Sequence, residues 1–126
     1  MLRTFFAIPV IAVFAVSASP QDDAKYQEWM RSIQPTMRAI RTAPDNAAAK
    51  ADAQKLADTF NNVAEFWKAH HADDAVQLSE KARDAAKAIA DGSGDKAANV
   101  QAIQSTCAPC HSAHREGTPP NFKIKY

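Results

Sequence analysis

The stretch Cys107-Ala108-Pro109-Cys110-His111 places two thiols three residues apart, with an imidazole directly after the second. C-x-x-C-H is the attachment signature for c-type haem. The spacing has a chemical reason. On one helical turn positions 107, 110 and 111 point the same way, because i, i+3 and i+4 share a face. The two sulfurs can then add to the two haem vinyl groups, and His111 lies beneath the ring as an axial iron ligand. Cys107 and Cys110 are the only cysteines, so no third thiol is left for a disulfide. Two other readings compete. A thioredoxin-like dithiol belongs near a βαβ pattern, and this chain carries no such strand signal. A zinc site from Cys107, Cys110, His111 and His114 has suitable ligand types, but four ligands within eight residues of one helix strain a tetrahedron.

Working outward, the amino terminus agrees with the motif. Residues 1–18 read as a secretory signal: Met1-Leu2-Arg3 is the positive region, Phe5 to Val16 is apolar, and Val16-Ser17-Ala18 offers small residues before a cut. The apolar run is short of the roughly 20 residues that span a bilayer. The expectation is therefore a periplasmic protein with no stable membrane insertion after cleavage. Covalent haem attachment of this kind takes place outside the bacterial cytoplasm, so leader and motif support each other.

Residues 19–126 are enough for one domain with a single core. The leader removes only Arg3 from the charge count, leaving 14 basic against 14 acidic residues. That neutrality gives no support for nucleic-acid binding or strong attraction to an anionic membrane. Alanine is abundant, which favours closely packed helices and suits a symmetric homodimer without requiring one.

Four stretches carry apolar seams at alternating three- and four-residue spacing. The first spans about Asp22 to Thr42, with Tyr26, Met30, Ile33, Met37 and Ile40 inward and Pro35 expected to kink it. The second runs from Asp45 to about His71 on Ala49, Ala53, Leu56, Phe60, Val63, Trp67 and His70. The third, Asp73 to Ala90, turns Ala75, Leu78, Ala82, Ala85 and Ile89 inward. The fourth, Asp95 to about Glu116, presents Val100, Ile103, Cys107, Cys110 and His114. Short connections make neighbours antiparallel, so the expected fold is all-α, an up-down-up-down four-helix bundle with haem on its last helix. Phe122 and Ile124 in the tail are candidates to pack back.

Antiparallel order sets Tyr26 and Met30 of the first helix, and Trp67 and His70 of the second, at the same end as the motif. Met30 is the first choice for the sixth iron position, since Met/His ligation favours electron transfer at a raised potential. His70 and an empty sixth position are the alternatives, and Met37 lies two turns deeper. Tyr26 and Trp67 are expected to line the haem pocket. Arg31, Lys68 and Arg115 are candidate partners for the propionates.

These residues resemble the class II cytochromes c, the cytochrome c′ and cytochrome c-556 group. The ending Cys-Ala-Pro-Cys-His-Ser-Ala-His-Arg at 107–115 is similar to theirs, as are Lys25-Tyr26 and Trp29-Met30 in the first helix. The chain departs from that pattern in having His114 for the usual aromatic and Pro35 in the first helix. The resemblance implies an exported monohaem electron carrier working with redox partner proteins rather than an enzyme. It equally accommodates a five-coordinate protein that binds nitric oxide or carbon monoxide.

Overall fold

The structure, a computed structural model, describes residues 19–126. The secretory signal read over residues 1–18 lies outside the described residues. Four helices make up nearly all of it: α1 Pro20–Thr42, α2 Asn46–Ala69, α3 Asp73–Ala90 and α4 Lys96–His114. Each start has a local chemical cause. Ser19 caps α1 by accepting from the Asp22 amide at 3.2 Å, with Pro20 in the first turn where its missing N–H costs nothing. Asp45 and Asp95 cap α2 and α4 through the amides of Ala48 and Ala98, at 2.8 and 3.1 Å. Asp73 and Asp74 put negative charge on the first turn of α3, which has no side-chain cap.

The expected bundle is present. Its packing follows from which residues occupy each seam. The buried faces of α2 and α3 are rich in alanine: Ala49, Ala53, Ala57 and Ala64 on one, Ala75, Ala82, Ala86 and Ala90 on the other. Small side chains let two helices approach closely, and α2 against α3 is the most extensive pairing. The inward residues of α1 and α4 are bulkier, and among the neighbouring helix pairs α1 and α4 have the sparsest contacts. One side of the bundle is therefore held open. The ends pair as an antiparallel arrangement requires: Tyr26 near the start of α1 meets Trp67 near the end of α2, and His114 ending α4 meets Asp74 starting α3.

Lys96 ties the opposite end together. Its Nζ donates to the carbonyl oxygens of Ile40 at 2.8 Å, Arg41 at 3.2 Å and Ala43 at 2.6 Å, acceptors that the end of α1 leaves without intrahelical partners. A cation in the first turn of α4 opposes that helix's own dipole, but the direct bonds to α1 outweigh it. Lys96→Met keeps the stem and removes the charge. It is expected to cost about 1–3 kcal/mol, read as a lower urea midpoint at unchanged slope.

Helix α1 continues as one helix through Pro35, with Thr36 Oγ1 donating to the Ser32 carbonyl at 2.8 Å beside it. Two details differ from the sequence expectation. Helix α2 stops at Ala69, two residues early, because His71 adopts a left-handed φ of 56°. The Ala72 and His71 amides then close back on Trp67 and Lys68, each at 3.1 Å. The chain beyond α4 forms a small antiparallel hairpin, β1 Arg115–Glu116 with β2 Lys123–Ile124. Among the described residues no helix is long and apolar enough to cross a membrane.

Candidate functional site

The apolar interior falls into two parts. One runs through the middle and lower bundle around Ile40, Leu56, Ile89 and Ile103. The other, at the end where α4 finishes, gathers Tyr26, Val63, Phe66, Trp67 and Ala75. Met30 packs against both. Where they meet, facing the sparse contact between α1 and α4, lies a cavity of about 310 Å³. Met30 and Tyr26 line it from α1, Cys107, Cys110 and His111 from α4, and Leu78 from α3. Except for Tyr26, these seam residues are only half-buried: the apolar pattern continues, but the space it should fill is open.

The α4 residues arrive as helical spacing requires, with Pro109 on the exposed face of the motif. Both thiols are free. Burial raises the Cys107 thiol above its ordinary pKa. The Cys110 thiol is pushed up to about 11 by burial and then by the nearby Asp74 and Cys107. Both are therefore neutral, which disfavours thiolate chemistry and suits conversion to uncharged thioethers. Burial, and then Arg115, lower the His111 pKa, so its imidazole is neutral at pH 7 with a lone pair to offer a metal. Two neutral thiols and a neutral imidazole on one face, with a thioether on the other lining helix, fit an attached haem. Arg31, Arg115 and Lys123 also line the cavity, and among the described residues no carboxylate side chain does.

His114 lines the cavity as well, but both of its ring nitrogens are engaged. Its Nε2 lies 2.8 Å from Asp74 Oδ2 and its Nδ1 3.2 Å from the Lys125 carbonyl oxygen. That hydrogen bond is the main reason the Asp74 carboxyl sits below its usual pKa. Among the described residues, no group of three or more His, Cys, Asp or Glu side chains is arranged to hold a metal ion by itself.

The other candidate residues separate clearly. Tyr26 lines the cavity, while Trp67 is fully buried behind it and donates its indole N–H to the Tyr26 hydroxyl oxygen at 3.2 Å. Burial holds the Tyr26 phenol far above its ordinary pKa, so it stays neutral. His70 lies outside the cavity lining. It is stacked between Phe66 at 4.4 Å and Tyr126 at 4.7 Å, and its Nδ1–H donates to the Phe66 carbonyl at 2.8 Å. Met37 is buried in the larger core. Lys68 pairs with Glu65 at 2.9 Å rather than facing the cavity. Sequence reasoning missed Phe66, whose ring packs on Tyr26 at 4.5 Å. Its place one residue before Trp67 put it off the assumed seam, although aromatic size was a signal. Phe122 and Ile124, candidates to fold back, do so and line the cavity. No family model, curated protein or solved structure matches this chain.

Proposed function

We propose that this chain is an exported monohaem c-type cytochrome that carries single electrons between redox partner proteins. The observation that carries the reading is the shared cavity. The C-x-x-C-H thiols and imidazole line it from α4, while Met30 lines it from α1. Cys107 and Cys110 would hold the ring through thioethers, His111 would be the proximal ligand and Met30 the distal one. The bound iron would supply the one-electron redox couple. The chain's own part is to surround the group with apolar side chains, which limits solvent reorganisation and tunes the potential. Arg31 and Arg115 line the cavity and would offset the propionate charges.

The test is production of the full chain, leader included, in a bacterium with the haem-attachment machinery. The purified protein should be red, and its colour should survive acid–acetone extraction. Cys107→Ser combined with Cys110→Ser should release all of the pigment to the solvent phase. A colourless wild-type protein under those conditions would sink the reading. A protein whose iron is high-spin and shifts with carbon monoxide would move it to the gas-binding alternative.

A further inference from the structure

We propose that the C-terminal segment, residues 115–126, is a strap that closes the slot between α1 and α4, with Tyr126 as its fastening. The inference rests on the reading of the cavity as a ligand slot. The strap determines what reaches Cys107, Cys110 and His111.

The helices leave the slot open on the side where α1 and α4 barely touch. The strap covers that side. Phe122 and Ile124 turn their apolar side chains into the cavity lining, and Ile124 packs against the upper core. The guanidinium of Arg115 sits 4.0 Å from the centre of the Phe122 ring. Fastenings then run to three helices. Gln27 of α1 donates its side-chain amide to the Phe122 carbonyl at 3.3 Å. The Lys125 amide donates to the His114 carbonyl of α4 at 2.8 Å. The Tyr126 hydroxyl donates to Asp23 Oδ1 of α1, and its ring stacks on His70 just past the end of α2.

The strap is lightly held compared with what it covers. Its strands are two residues each, and only Phe122 and Ile124 are even half-buried. Tyr126 is 56% exposed although three aromatic rings lie beside it. A segment with few buried contacts opens without the bundle unfolding. Its turn depends on Gly117, at φ +91°, where an added Cβ would meet the Asn121 carbonyl oxygen at 2.5 Å. That collision is with backbone, so a side chain at 117 must displace the segment that leads into β2.

Thiol accessibility measures the closure directly. The full chain, produced without haem attachment, is treated with iodoacetamide at fixed pH, and alkylation of Cys107 and Cys110 is followed by mass spectrometry. Gly117→Ala is expected to raise the rate about tenfold, as a one-decade shift of the opening equilibrium would. Tyr126→Ala should raise it severalfold, with far-UV circular dichroism unchanged in both. Rates equal to wild type in both folded variants overturn the strap, whatever the slot holds. If the chain without haem does not fold, the haem-loaded protein takes its place. With Met30→Ala also present to free the sixth iron position, both variants should then accelerate carbon monoxide binding to the reduced iron, and unchanged rates overturn the strap. Faster alkylation in a chain that never acquires haem supports the strap while removing the electron-transfer reading.

Discussion

If the chain is the cytochrome proposed above, Met30→Ala in the haem-loaded protein is expected to convert a low-spin iron into a high-spin one. It should also abolish the near-infrared methionine-to-iron charge-transfer band. Among the described residues, Met30 is the one methionine lining the cavity that Cys107, Cys110 and His111 share. It stands one turn beyond Tyr26 and touches both halves of the core. Truncation removes the sulfur and leaves the helix intact. The reduction potential should fall, because thioether ligation is what raises it in Met/His haem proteins. Two controls separate ligation from packing. Met37→Ala deletes a methionine that is 3% exposed within the larger core and outside the cavity lining. It should cost about 2–5 kcal/mol while leaving the spectrum unchanged. His70→Ala should leave the iron low-spin, since His70 is stacked between Phe66 and Tyr126 away from the cavity. A wild-type protein already high-spin, with a spectrum unmoved by Met30→Ala, would exclude Met30 as ligand and favour gas binding.

Apolar spacing made most of the bundle legible, because long helices with one buried face leave a strong periodic trace. Helix α3 was readable at both ends: the acidic pair Asp73-Asp74 marks its start, and Gly92 follows its end at a φ of 71°. The end of α2 was not. A histidine in the left-handed region at position 71 gives no warning in the sequence, where a glycine would have. The error carried His70 with it: seam spacing turned His70 inward, but the helix had already stopped at Ala69. The slot itself was half legible. Met30, Leu78, Cys107 and Cys110 all belong to seams, yet a pattern of apolar positions does not show that the space between them is unfilled. That depended on the alanines drawing α2 and α3 together while α1 and α4 stayed apart. The hairpin after α4 was out of reach of periodicity, with two residues per strand. So was Lys96, whose bonds to Ile40 and Ala43 span more than fifty residues.

Trp67→Ala should be the most destabilising single change at the site end of the bundle. The indole is fully buried, and five rings lean on it: Tyr26 of α1 at 5.6 Å, Phe66 of α2 at 5.1 Å, His70 at 6.2 Å, His114 of α4 at 4.4 Å and Tyr126 of the strap at 6.2 Å. Removing a buried tryptophan costs about 3–5 kcal/mol in lost burial and residual cavity. For a domain of this size that lowers Tm by about 10–30 °C. Trp67→Phe separates the two contributions of the ring. It keeps most of the apolar volume but loses the N–H that donates to the Tyr26 hydroxyl, and should cost about 1–3 kcal/mol. Two variants with equal melting temperatures would mean that the hydrogen bond, not the packing, supports this end. The expected inequality has a consequence for the site. Tyr26 is the one residue that both lines the cavity and bonds to Trp67, so loss of the indole releases a cavity wall as well as a core contact. Combining Trp67→Ala with Tyr26→Phe should therefore cost less than the sum of the single changes, because the first already removes the partner of the hydroxyl deleted by the second.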